Sequence, residues 1–413
     1  IDQIVPPQVA GFPVPEVSIE PAPSLPLMDV VNGIENHALP SDDSLMPPST
    51  TTFRRGLMHF TEEELRQMDA IRQSLPKAAS FNDVILPQGS KSLLNSVPYT
   101  GTERDQGYCG NCWVWASTGA MEIDHSIKNS IKNRLSVQYF NSHYNGGAEV
   151  GNACRGGFTS TFAEFYNNTL RKGIPWSNTN ASFADYYWQS GPTAMPAAFI
   201  STNPNYPLTS VINEELEVRN GQSAAINTIK GHLNSNRPVL WYFALPSEGW
   251  NAFYQFWDNQ PESAIWNPDP YAGTALSGAH EVLIIGYDDT GSDPYWIALN
   301  SWGVTSGRPY GLFRVTMNMN YNAVMTSGSY TQYAHYFDVI ETKYSTSPTP
   351  SPTPTSTPTI TPTSTPTVTP TITPTVTPTP EPGYGNLSVS SSPSGARIGI
   401  DGVMTGNTTP AQI

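Results

Sequence analysis

Charge is sparse in this chain, and positive charge is sparser still: 20 Lys and Arg stand against 34 Asp and Glu, a formal net charge of −14 at pH 7. A broad cationic face for nucleic acid or an anionic membrane is therefore not expected. No apolar run approaches the 18 or more residues of a membrane span. Cysteine is also scarce, with three in 413 residues. That number is too small for a disulfide-dense scaffold, and it leaves one thiol over if two of the three pair. The chain begins at Ile1 rather than Met, and a signal peptide already removed is the expectation.

Proline is abundant instead, at 39 residues, crowded into the first fifty positions and into 345 to 382. This unevenness divides the chain. Residues 1–78 read as a Pro-rich arm ending in one helix. In HFTEEELRQMDAIRQSLP, Thr61 is the expected N-cap and Glu64 completes a capping box, while Phe60 and Leu65 have the spacing of a hydrophobic staple. Leu65, Met68 and Ile71 share a face, and Pro76 stops the helix. Residues 79–343 are rich in Trp, Tyr and Phe and can bury a sizeable core. Here WVWASTGAMEIDHSI and TFAEFYNNTLRKG have helical patterns, the second ending at Gly173. RPVLWYFAL, HEVLIIGY, PYWIALN and YGLFRVTM read as strands. Helices come first and strands later, so the class is α+β. Residues 344–382 form a Thr/Pro-rich stalk, roughly 100 Å long if extended at about 3.1 Å per residue. Residues 383–413 resemble the first half of a PEGA module, a small β-domain of prokaryotic surface proteins, through PSGA at 393–396, a strand into Asp401 and Gly402, and TTP at 408–410. A truncated chain is the expectation there.

The chemistry concentrates in DQGYCGNCWVWA at 105–116. Cys109 and Cys112 have the spacing of a redox pair, but no βαβ context surrounds them, and Cys154 follows in NACRGG. A zinc site wants four N or S ligands, and no histidine lies at a finger-like spacing. Cys112 opens a predicted helix whose dipole favours a thiolate. His280 begins a buried-looking strand in SGAHEVLIIGYDD, and Asn300 in WIALNSWG is able to orient an imidazole. Taken singly, each has an ordinary reading: a structural cysteine, a satisfied core histidine, a turn asparagine.

Together, in order and with their flanks, these blocks resemble the papain family of cysteine peptidases: Gln106 with CGNCW, CRGG at 154–157, AHEVLIIGY at 279–287, NSWG at 300–303, and GLFRV at 311–315. The family signature C-G-[SA]-C-[WY] is followed by His and Asn about 130 to 150 residues downstream. Here Asn111 replaces Ser or Ala, and His280 and Asn300 lie 168 and 188 residues beyond Cys112 (280 − 112 and 300 − 112). An insertion at residues 176–222 accounts for the longer gap.

The resemblance implies a two-lobed fold, with the nucleophile helix in a helical lobe and an antiparallel, β-barrel-like second lobe. It implies a cysteine endopeptidase in which Cys112 attacks, His280 protonates the leaving amine, Asn300 fixes the His280 ring under Trp302, and Gln106 donates to the oxyanion. It also implies a Cys109–Cys154 disulfide and a substrate cleft lined by Gly156, Gly157, Glu281, Tyr242 and Trp302. Glu281 stands where the family has a small residue. It either makes the S2 pocket acidic, favouring Arg or Lys, or lies buried against Tyr242. Ser306 replaces a tryptophan common on the leaving-group side, which opens that subsite.

No cofactor is expected. DDTGSD at 288–293 offers oxygen ligands for Ca²⁺ but lacks the full EF-hand spacing, and a hairpin turn with Asx caps is preferred. The expected partners are protein or peptide substrates, with cell-envelope association through the stalk and PEGA-like module and no nucleic acid. The expected state is an extracellular or surface-bound monomer, made as a zymogen with residues 1–78 over the cleft. The competing functions are a catalytically dead surface-binding scaffold and a Cys109/Cys112 oxidoreductase.

Overall fold

A computed structural model describes residues 55–82, 84, 86–98 and 101–345, together with short strands at 388–389, 397–400, 403–408 and 411–412. Most of the arm and all of the Thr/Pro stalk beyond 345 therefore lie outside the described residues. The chain divides into two units, Ile1–Ser351 and Pro352–Ile413. The first holds six α-helices among the described residues: α1 Glu62–Ser74, α2 Cys112–Asn129, α3 Val137–His143, α4 Thr159–Phe165, α5 Gln222–Asn234 and α6 Ser247–Asn259. Its strands are β1 Ser90–Ser92, β2 Lys172–Gly173, β3 Tyr206–Glu215, β4 Val239–Leu245, β5 Ile265–Trp266, β6 Gly278–Asp288, β7 Tyr295–Leu299, β8 Leu312–Thr316, β9 Val324–Ser327, β10 Tyr330–Tyr333 and β11 His335–Tyr344.

Nine strands make one sheet in the order β2-β3-β11-β4-β6-β7-β8-β5, with β1 paired to β6. All pairs are antiparallel except β5 with β8. The α+β expectation holds. The order runs from edge to edge without closing, so the expected barrel-like lobe is an open sheet. Its central strands β4 and β6 are buried along nearly their whole length, which is why they read as continuous apolar runs instead of alternating ones. Helix α2 packs against β6 and β11.

Helix α1 carries the predicted capping box: Thr61 Oγ1 accepts from Glu64 N–H at 3.2 Å, and Glu64 Oε2 accepts from Thr61 N–H at 2.7 Å. Phe60 stacks on Phe158, with centroids 4.6 Å apart. The buried face is Leu65, Met68 and Arg72, with Ile71 half-buried. Arg72 displaces the apolar expectation because it pairs with Asp338 at 2.6 Å and Glu215 at 3.3 Å and lies 4.0 Å over the Tyr336 ring.

Two other expectations shift. The helix expected to reach Gly173 ends earlier: α4 passes into a single π-turn at Tyr166–Leu170, and Arg171 takes a left-handed φ of 50°. Lys172–Gly173 then pairs with Tyr206–Pro207. The supposed insertion at 176–222 contains β3, which pairs along β11 and belongs to the sheet itself. At 288–293, β6 and β7 are joined as a hairpin in which Asp288 Oδ1 accepts from Thr290 N–H at 3.0 Å. No group of three metal-ligating side chains occurs there or elsewhere among the described residues. No described helix is long and apolar enough to cross a membrane.

In the second unit, β12 Ser388–Val389 pairs with β15 Ala411–Gln412, and β13 Arg397–Ile400 pairs with β14 Val403–Thr408. The strand expected ahead of Asp401 is present.

Because Arg72 is buried against Asp338, removing it strands a carboxylate in the interior. Arg72→Met is expected to lower the unfolding free energy by about 3 kcal/mol in denaturant titration, with much of that recovered in Arg72→Met/Asp338→Asn.

Candidate active site

Cys112 sits at the first turn of α2 and is fully buried. The preceding Cys109 is bonded to Cys154, and Cys112 is the free cysteine. A Cys109/Cys112 redox pair is thereby ruled out for this state, since Cys109 has another partner. The cross-link spans 45 residues and, by its loop length, contributes about 4 kcal/mol through the unfolded chain.

His280 lies near the start of β6, opposite Phe243 of β4. Its Nε2 is 2.8 Å from Asn300 Oδ1. A carboxamide oxygen only accepts, so the ring carries its proton on Nε2 and leaves Nδ1 with a lone pair. Nδ1 is buried and makes no hydrogen bond. Asn300 Oδ1 also accepts from Ser301 N–H at 2.8 Å, which fixes the amide. The Trp302 ring lies 4.6 Å from the His280 ring and is itself stacked by Tyr254 at 5.4 Å, so this bond is walled from water. The Phe243 and Trp250 rings stand nearly perpendicular to the His280 ring, with centroids 5.7 and 6.4 Å away.

Gln106 is buried: Ser301 Oγ donates to its Oε1 at 2.6 Å, its N–H donates to Ser301 O at 2.8 Å, and its Nε2 donates to Cys109 O at 2.7 Å. The same Nε2 donates to Gly56 O at 2.9 Å. That last contact belongs to a segment of the arm that lies over the site. Gly56 N–H donates to Gly107 O at 2.8 Å, Met58 and Ala279 exchange two backbone hydrogen bonds of 2.9 Å, and His59 Nδ1 meets Ser277 O at 3.0 Å. Met58 is completely buried. A Cβ at Gly156, whose φ is +126°, would meet Met58 and Phe60 at 3.1–3.2 Å, whereas a Cβ at Gly157 would strike Trp113 at 2.4 Å. Gly156 is thus the glycine facing the covering segment, and Gly157 is bare because Trp113 packs beneath it.

Glu281, next to His280, is buried and accepts from Thr159 Oγ1 at 2.7 Å; across the sheet it faces buried Tyr242. Burial pushes its carboxyl up to about 8, against the pull of the Thr159 bond. Burial also pushes the Cys112 thiol far up, aided by the Glu281 charge and opposed by the backbone N–H groups of Glu281, Trp113 and Cys112. His280 is driven down to about 3 by burial, against the Asn300 bond. In this covered state desolvation outweighs the helix dipole, and thiol and imidazole are both held neutral.

A model of the papain family cysteine proteases matches residues 97–333, more than half of the chain. The chain belongs to this family. It is similar to a pro-cathepsin H of Medicago truncatula, 26% identical over 254 residues covering 60% of this chain and 63% of the relative. It is also similar to a cathepsin L of Sarcophaga peregrina, 26% identical over 237 residues covering 55% and 59%. Among solved structures, xylellain, a cysteine protease from Xylella fastidiosa, aligns at a TM-score of 0.47 and 16% identity over 72% of this chain and 99% of that one. The chain thus spans about 60% of the length of the two curated relatives named. Family membership accounts for the order of the sequence blocks. Thr159, Ser301 and Phe243 were missed by sequence reasoning; only the position of Ser301 inside NSWG hinted at a role, and the other two reach the site through strand register and helix packing.

The raised Glu281 carboxyl has a definite pH consequence. Its folded value lies above the unfolded one, so its stabilising contribution is complete below about pH 4.5 and is lost as pH rises through about 8. Glu281→Gln, neutral throughout, is expected to match the parent's melting temperature at pH 4 and to exceed it by several degrees at pH 8.5, read by thermal unfolding across that range.

Proposed function

We propose that this chain is a cysteine endopeptidase, secreted or displayed at a cell surface, whose own N-terminal segment covers its cleft until it is displaced. What carries the reading is the bond from His280 Nε2 to Asn300 Oδ1, made with Nδ1 left bare, while the free Cys112 accepts from the backbone N–H of the next residue, Glu281. In the uncovered cleft, water and substrate dipoles lift the desolvation that keeps the pair neutral. Cys112 then passes its proton to His280 Nδ1 and attacks the scissile carbonyl carbon as thiolate. The oxyanion is received by Gln106 Nε2 and the Cys112 N–H, a contact worth about 3 kcal/mol per donor. The C–N bond breaks as the imidazolium gives its proton to the leaving amine, and water later hydrolyses the thioester.

The zymogen reading is supported by the contacts of residues 55–60. Gly56 O occupies the amide donor that the oxyanion would use, and Met58 holds the backbone of Ala279 next to His280. The Cys109–Cys154 disulfide suits an oxidising, extracellular setting, and the Thr/Pro tract at 344–382 suits a spacer to a surface module. Residues 1–78 are read as the pro-segment and 79–343 as the peptidase domain. Glu281 is read as a hydrogen-bonding, uncharged floor of the acyl-side pocket while the cleft is covered.

Mass mapping tests the nucleophile. After the arm is cut, alkylation without reduction is expected to return a Cys109–Cys154 cross-linked peptide, and an epoxide inhibitor of cysteine peptidases is expected to modify Cys112. A dead scaffold would show no epoxide adduct, and Cys112→Ser is expected to remove both adduct and peptide hydrolysis.

The cover is tested at Gly56, where a Cβ would lie 2.4–2.5 Å from the backbone of Tyr108 and Cys109. Gly56→Val is expected to lift the segment and raise peptide hydrolysis by the uncut chain roughly tenfold, the size of an overpacking penalty of about 1–3 kcal/mol. Unchanged activity in the uncut variant would count against the zymogen reading.

A further inference from the structure

The covering segment also marks a subsite by what it places there. Its carbonyl at Gly56 sits on the Gln106 amide, and Met58 pairs with Ala279 and faces Gly156. Met58 and Phe60 therefore lie on the acyl side, and the chain crosses from the leaving-group side toward it. Along the chain Arg55 precedes the Gly56 contact with Gln106 and Met58 follows it. Arg55 Nη1 pairs with Asp258 at 2.9 Å, its guanidinium stands 5.5 Å from the centre of the Trp302 ring, and its carbonyl accepts from Tyr254 Oη at 3.2 Å. Its side chain is only 13% exposed. Asp105, directly before Gln106, adds a second carboxylate: Gly107 N–H donates to it at 3.0 Å, Tyr186 hydrogen-bonds it, and the Arg55 charge acts on it.

A fixed cation site thus adjoins the oxyanion donor, built from two elements that are distant in the chain. Asp258 and Tyr254 come from α6, and Asp105 comes from the loop before α2. Planar guanidinium recognition by a carboxylate and an aromatic face is well matched to Arg and less so to Lys.

We propose that this pocket, framed by Asp258, Asp105 and Trp302, is a substrate subsite that selects a basic side chain, Arg above Lys, at the first residue after the scissile bond. Arg55 is the internal occupant that leaves with the cover. The proposal rests on the peptidase reading, since a subsite has meaning only where a bond is cut.

The test uses the full chain after its arm has been nicked by a serine protease that is then inhibited. Three internally quenched peptides, identical except for Arg, Ala or Glu after the scissile bond, are compared by kcat/KM. The expected order is Arg over Ala over Glu, with about a tenfold step from Ala to Arg, the scale of a partly exposed ion pair joined to a cation–π contact. Asp258→Lys is expected to bring the Arg peptide below the Glu peptide. A reversed preference is something a misfolded variant cannot produce. Equal rates on all three peptides, or an order untouched by Asp258→Lys, would overturn the subsite alone. Cleavage of none of them would overturn the peptidase reading and the subsite with it.

Discussion

Helix α2 is docked along β6 so closely that every residue from Cys112 to His125 is buried, and a Cβ on Gly119 would already stand 3.2 Å from the Leu283 side chain and 2.9 Å from Arg104. This seam brings the start of a helix to the start of a strand. Cys112 and the His280–Glu281 pair are there because those two ends meet. Arg104 ties the seam from below, donating to Asn300 O at 3.0 Å and to Trp115 O at 2.7 Å. Loss of that docking would separate the thiol, the imidazole and the amide of Asn300 at once.

Exclusion of water from the same seam governs its electrostatics. Desolvation by burial drives His280 down to about 3 and pushes Glu281 up to about 8. Part of the cover's hold comes from its backbone groups: Gly56 with Gly107 O and the Gln106 amide, and Met58 with Ala279. Such contacts depend little on side-chain identity, and Gly56 is required only because the chains approach too closely for a Cβ. The cover's side chains add contacts that do depend on identity: Arg55 with Asp258 and Trp302, Met58 and Phe60 against Gly156, and His59 with Ser277 O.

Much of this was readable before any coordinates. The capping box at Thr61 and Glu64 is a local hydrogen-bond pattern, and it appears as written. The strands β4, β6, β7 and β8 follow from β-branched and aromatic runs. What local pattern could not reveal lies in long-range pairings. Arg72 took the buried place expected of Ile71 because Asp338, 266 residues away, supplied its counter-charge. Tyr206–Glu215, read as inserted chain, became a sheet member because β11 was available to pair with it.

The residues Gln106, Cys109, Cys112, Cys154, His280 and Asn300 were singled out by sequence alone, since side-chain chemistry and order along the chain are properties of the sequence. Two matters were decided only by the tertiary structure. One is the charge state of the covered site, because desolvation depends on what surrounds a group in space. The other is the meeting of Arg55 with Asp258, because 203 residues separate the two and only folding sets them 2.9 Å apart.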